Sequence, residues 1–210
     1  MALVRGADQA FEVLDEVSLA GRTYSARLLP ELSSLLTKHH LQLSDLHGFA
    51  VISGPGSFTG LRVGLSTVKA LAEILQRPIA AVSMLEAIAA QAGEDGRIVA
   101  ALDAGRKEVY SGEYELAGAG LKLVREALLS RAEFVALLED SPGAALLTPC
   151  PALGELATGR IPSKPVQWPP ASEIARLGLG KLSRGETVAA EALDANYLRR
   201  SDAEIFSTPR

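Results

Sequence analysis

Gly54-Pro55-Gly56-Ser57-Phe58-Thr59-Gly60-Leu61-Arg62 is the segment of this 210-residue chain whose residue types and spacing come nearest to chemistry. The apolar run Phe49-Ala50-Val51-Ile52 precedes it and reads as a buried strand. After it, Leu61, Leu65, Val68, Ala72 and Leu75 recur every three or four residues, the mark of a helix running to about Gln76. A strand, a glycine-rich turn and a helix start together aim backbone N–H groups at an anion. Three uses fit the pattern. Gly54, Gly56, Ser57, Thr59 and Gly60 would form a phosphate loop, or the glycines would serve only a tight turn and close helix packing, or the turn would touch another protein. It is not a Walker A loop, because no lysine follows Gly60 and Arg62 lies on the helix instead. Nor does the glycine spacing match a dinucleotide-binding turn.

Other reactive types offer less. His39, His40 and His47 are the only histidines. His39 and His40 are neighbours, so on a helix they point about 100° apart and cannot chelate one ion from one face. They read as cations at a helix C-terminus. No serine sits in a nucleophile elbow. The single cysteine, Cys150, excludes an intramolecular disulfide and any multi-cysteine metal site, and its neighbours Pro149 and Pro151 place it in a loop. Asp103 ends an apolar strand; it either faces a cleft or fixes Arg106 or Lys107 in the turn that follows. These residues assign no catalytic group and no metal ligand.

The elements around these residues alternate. Apolar types make up 48% and charged types 22% of the chain, which excludes a disordered or fibrous protein. A chain of this length buries roughly 70% of its unfolded surface. No apolar run approaches the ~20 residues needed to cross a bilayer, and the first residues lack the apolar stretch of a secretory signal. A cytoplasmic protein is therefore expected. The formal charge is −4 with no basic block, which argues against tight nucleic-acid binding by this chain alone. Strands are expected at 11–19, 49–52, 79–82, 98–103, 108–116, 121–127 and 144–148. Helices are expected at 23–39, 59–76, 84–92, 131–139, 171–183 and 186–194. Val63, Ala70 and Ile74 lie off the main stripe of helix 59–76, so that helix is apolar on more than one side and needs a second neighbour. Seven of the eleven prolines fall between Pro142 and Pro170, marking a loop-rich stretch. The reading is a mixed α/β chain with two lobes, residues 1–103 and 104–210.

The segment Gly54 to Gly64 resembles the signature of the TsaB family, the dimerisation subunit of the bacterial tRNA threonylcarbamoyladenosine machinery. Three further pieces agree in order. Tyr24-Ser25-Ala26-Arg27-Leu28-Leu29-Pro30 is similar to the start of the family's first helix, with Tyr24 where histidine is usual. Leu102-Asp103-Ala104-Gly105-Arg106-Lys107-Glu108-Val109-Tyr110 is similar to its Asp-Ala-Arg…Glu-Val-Tyr segment. Asn196-Tyr197-Leu198-Arg199-Arg200-Ser201-Asp202-Ala203-Glu204 is similar to its C-terminal tail. The resemblance implies an actin-like (ribonuclease H-like) ATPase-type α/β fold with two lobes. It also implies a non-catalytic scaffold that pairs with TsaD, with TsaE joining as an ATPase, for threonylcarbamoyl transfer to N6 of adenosine 37 in tRNA.

On this reading the helices at 23–39 and 59–76 meet the partner through Leu28, Leu32, Leu61, Gly64, Leu65 and Val68, with Gly60 and Gly64 allowing close approach. The free chain is open to homodimerisation through the same helices, and tRNA is met only through the complex. The chain itself requires no cofactor, although ATP or ADP fits at the interface with the partner. Two departures from the wider family are expected to matter. The catalytic relative's His-x-x-x-His metal pair falls here on Met84 and Ile88, neither of which suits such a metal. The family opens on an apolar strand ending in Asp-Thr-Ser, whereas Met1-Ala2-Leu3-Val4 aligns with the end of the next strand, so that first strand is expected to be absent. An actin-like nucleotide hydrolase acting alone is the alternative function. A peptidase is a third reading, for which the chain shows no nucleophile–base pair.

Overall fold

A computed structural model of the chain describes residues 1–7, 10–19, 24–118 and 120–196. It divides into two compact units, Met1–Val82 with Pro169–Ala195, and Ser83–Trp168 with Asn196. The division expected after Asp103 falls inside a hairpin, where Leu102 pairs with Tyr110. Cutting there would break one hydrogen-bonded sheet, so the units separate at Val82 instead.

In the first unit β1 (Ala2–Ala7) and β2 (Ala10–Glu16) form an antiparallel hairpin, with a register shift between Leu3 and Val4. α1 (Tyr24–Lys38) lays Leu35 and Leu36 onto Leu3, and Leu14, Val17, Leu32, Leu41 and Leu46 close around them. A single 3-10 turn, Leu43–Asp45, leads to β3 (Phe49–Gly54). α2 (Phe58–Leu75) follows, capped by Ser57 and ended by Gln76 in the left-handed region at φ 52°. β3 pairs with β4 (Ile79–Ser83) in a separate two-stranded sheet. The run Phe49 to Ile52 is half-buried rather than fully buried, because β3 has a strand partner on one side only.

The second unit begins with α3 (Met84–Ala89), whose Ser83/Glu86 capping box fixes its first turn. Its strands are β5 (Gly96–Gly105), β6 (Glu108–Ala117), β7 (Gly120–Ser130), β8 (Ala144–Thr148) and β9 (Ser163–Pro165). They form one sheet in the order β7-β6-β5-β8-β9. β5, β6 and β7 run antiparallel, while β8 lies parallel to β5 and β9 parallel to β8. Side chains of β5 alternate between the two faces. Val99 and Ala101 join Phe134, Leu138 and Leu153 from α4 (Arg131–Glu139) and α5 (Pro151–Leu156), while Ile98, Ala100 and Leu102 join Leu85 and Ile88 of α3.

Back in the first unit, α6 (Ala171–Ser183) packs on β1, β2 and β3. Gly178 makes that approach close, since a Cβ there would stand 2.3 Å from the Ala50 Cβ. The helix expected over 186–194 is not formed. Val188 instead donates its N–H to the Ile79 carbonyl at the edge of β4, and Leu193 is buried against α2, so edge pairing and burial outweigh local helix propensity. β9, in the proline-rich stretch read as loop, pairs through Ser163, Lys164 and Pro165. It sits at the sheet edge, where a proline is tolerated.

Candidate functional site

The glycine-rich turn is built as the spacing predicts, from β3 through the turn into the start of α2. Gly54 holds φ 136°, a value reserved for glycine, and the peptide to Pro55 is cis. Gly56, Ser57 and Thr59 are exposed and Gly60 is half-exposed. Ser57 Oγ accepts from the Gly60 N–H at 3.4 Å, and the Ser57 carbonyl accepts from the Leu61 N–H at 2.8 Å. Of the helix-start donors that have no intrahelical acceptor, the Gly60 N–H is thus already engaged within the turn. The Arg62 guanidinium stacks over the exposed Phe58 ring at 3.7 Å, giving the turn an aromatic, cationic outer side.

The structure redistributes the expected partner-binding residues. Leu61 and Leu65 are 9% and 5% exposed and pack with Ala72, Ile79 and Leu193 in the unit's own core. They are core residues and not partner contacts, because the leucine stripe of α2 is what its own sheet requires. Val68 also packs against that core, and Leu32 against the α1 core, both partly exposed. Leu28 is half-buried, and a Cβ at Gly64 would meet nothing within 4 Å.

The face that remains open carries other residues. Ile74 is 77% exposed and Leu29 is 55% exposed. Ile74 follows Leu65 by nine residues, half a turn away around the helix, and Val63, Thr67 and Ala70 complete its stripe. Beside it, between α1 and Leu71 of α2, lies a cleft of about 240 Å³ whose lining includes Leu29, Leu32, Leu36, Leu41 and Leu43. Ile74 is the one of these residues with a sequence signal, being apolar off the main stripe. The cleft has none, because it depends on where the chain turns after α1.

Two polar clusters were not legible. Asp15 on β2 receives Lys38 Nζ at 2.5 Å and His39 Nε2 at 3.0 Å, so a histidine read as a helix-end cation also meets a carboxylate. Those contacts, Lys38 first, pull the Asp15 carboxyl down to about 2. In the second unit Glu126 accepts from Ser83 Oγ, from the Tyr114 hydroxyl at 2.5 Å and from Asn196 Nδ2 at 3.0 Å. Burial, and then the neighbouring carboxylate, push the Tyr114 phenol well above its ordinary pKa. Ser83 also accepts the Leu85 N–H as the cap of α3. Met84 and Ile88 belong to the apolar core over the sheet. Among the described residues no group of three or more His, Cys, Asp or Glu is placed to hold a metal ion.

A family model described as TsaD, tRNA N6-adenosine threonylcarbamoyltransferase, matches residues 18–154. The TsaB protein of Bacillus subtilis, a tRNA threonylcarbamoyladenosine biosynthesis protein, is 32% identical, and the match covers 91% of this chain and 86% of that one. The chain belongs to the TsaB family. The Escherichia coli TsaB protein is 29% identical over 88% of this chain and 84% of its own length. Among solved structures, YeaZ from Pseudomonas aeruginosa shares 32% identity with a TM-score of 0.69, covering 90% of this chain and 87% of that one. A second Pseudomonas aeruginosa structure, of an uncharacterized protein with similarity to peptidase YeaZ, shares 29% identity at a TM-score of 0.74, covering 94% and 93%. The TsaB family assignment and these neighbours make the fold the actin-like α/β fold.

Proposed function

We propose that this chain acts in tRNA threonylcarbamoyladenosine biosynthesis as a non-catalytic subunit that pairs with TsaD, the face formed by α1 and α2 being the docking surface. The observation that supports the pairing surface most is the open apolar stripe of α2 through Ile74 beside the leucine-lined cleft. An apolar face of this kind on an acidic chain fits a protein partner better than a nucleic acid. Family membership supports the pathway. In this reading the work is done in the cytoplasm, TsaE and tRNA join through the complex, and ATP or ADP is held with the partner.

Co-expression with the TsaD-type protein of the same organism, followed by size-exclusion chromatography with light scattering, tests the proposal. A one-to-one species that is absent when the chain runs alone is the expected result. Two separate peaks at micromolar concentrations would overturn the pairing, and magnesium-dependent ATP turnover by the chain alone would favour the independent hydrolase.

A further inference from the structure

We propose that Glu126 on β7 is a common anchor for two of the places where the chain passes between its units, a conformational device that fastens both passages to one carboxylate. The chain leaves the first unit after Val82, returns to it at Pro169 and leaves it again after Ala195. Ser83 and Asn196 are therefore the first residues of the second unit on these two passages. Ser83 Oγ donates to Glu126 Oε1, and Asn196 Nδ2 donates to Glu126 Oε2 at 3.0 Å. A carboxylate only accepts, on two oxygens, and its hydrogen bonds are among the stronger ones. Each oxygen of Glu126 holds one passage.

The carboxylate is itself held in place. Gly112 stands directly opposite Glu126 on β6. A Cβ at Gly112 would lie 2.6 Å from Tyr114 Cε2 and 3.1 Å from Leu85 Cβ, so the bare backbone leaves the Tyr114 ring room to lie back over it. That ring is 2% exposed, and its hydroxyl donates to Glu126 Oε1 at 2.5 Å. A buried donor of this kind fixes where the carboxylate points.

Both passages are short between their fixed points. Val82 is fully buried in the first unit, and Ser83 follows it at once. Ser83 also accepts the Leu85 N–H at 3.1 Å and donates its own N–H to Glu86 Oε2 at 3.3 Å, so holding Ser83 holds the first turn of α3. Leu193 is 1% exposed, and only Asp194 and Ala195 separate it from Asn196. The passage at Trp168 and Pro169 lies outside the cluster, where Gln91 Nε2 donates to the Gln167 carbonyl at 3.1 Å. It is an internal control for the other two.

Thermolysin cleavage of the native full chain, mapped by mass spectrometry, reads local opening at 82–85, at 193–196 and, as the control, at Val166. Glu126→Ala frees both anchored passages, so cleavage at 82–85 and at 193–196 should each speed up on the order of tenfold relative to Val166. Asn196→Ala removes one donor from an exposed residue and should speed cleavage at 193–196 alone. Tyr114→Phe loses a buried hydrogen bond but leaves Ser83 and Asn196 on the carboxylate, so its cleavage should rise evenly at all three places. An even rise in Glu126→Ala, a rise at one passage only, or a Tyr114→Phe pattern equal to that of Glu126→Ala would overturn the common anchor. Asn196→Ala leaves the core untouched, so unchanged cleavage at 193–196 in that variant overturns it even where Glu126→Ala fails to fold.

Discussion

Asp15 shows how one carboxylate ties a hairpin to a helix end. Lys38 and His39 both direct nitrogen at its Oδ2, and the carboxyl is held at about 2, below the value near 3.9 of an unfolded chain. A carboxyl with a depressed folded pKa contributes stability at every pH above the unfolded value and loses it as the pH falls through the folded one. The contribution is therefore full above pH ~4 and fades toward pH ~2. Urea unfolding of the wild type and Asp15→Asn should differ at pH 6, and the difference should shrink steadily below pH 4; a gap that persists at pH 2 would place the stabilisation elsewhere. Tyr114 titrates with the opposite consequence. Its phenol is 2% exposed and donates to Glu126, so the folded protein keeps the proton where an unfolded tyrosine, with a pKa near 10, would release it. Stability should fall as the pH rises above about 10, and Tyr114→Phe should flatten that alkaline limb in a denaturation series.

At the scale of elements, two glycines on helices separate packing from docking. At Gly178 of α6 an added methyl collides with Ala50 Cβ at 2.3 Å and stands 3.4 Å from its Cα, atoms that cannot rotate away. Gly178→Ala should therefore destabilise the chain by ~1–3 kcal/mol through displacement of α6 from β3. At Gly64 of α2 the methyl meets open space, so Gly64→Ala should stabilise the lone chain by up to ~1 kcal/mol through helix propensity. If the partner helix packs there, the same change weakens pairing; thermal unfolding of the free chain and titration with the partner read the two effects separately. The contrast also marks what could be read from residue order. The Leu61, Leu65, Ala72 stripe identified α2, because period is a local property. Which stripe of α2 faces its own sheet was not local, and the leucines taken for partner contacts proved to be core. The expected helix over 186–194 failed for the same reason, since Val188 and Leu193 answer to Ile79 and α2, far away in sequence. Glu126 gains its partners only in the fold, where β6 and the end of β4 bring Tyr114 and Ser83 to it.

For the whole molecule, the division at Val82 and the return of the chain at Pro169 make the first unit a body closed by its own C-terminal helix. Both proposed docking helices belong to this unit, so its folding and its docking can fail independently, and two substitutions separate them. Leu65 is 5% exposed inside the unit, so Leu65→Glu buries an unpaired charge and should cost the fold several kcal/mol, on the order of the ~3–5 kcal/mol of other uncompensated buried charges. Its loss of pairing would then follow from loss of structure. Ile74 is 77% exposed, so Ile74→Glu leaves the free chain within about 0.5 kcal/mol of its original stability, as surface changes do. If Ile74 sits in the core of the interface with the TsaD-type partner, the charge is desolvated only on binding, and affinity should fall by at least ~2 kcal/mol, about thirtyfold. Circular dichroism melting and light scattering of the co-expressed pair measure the two quantities on the same samples. An Ile74→Glu chain that melts like the wild type and still pairs at full affinity would move the docking surface off α2, leaving Leu29 and the cleft beside α1 to be tested next by the same pair of measurements.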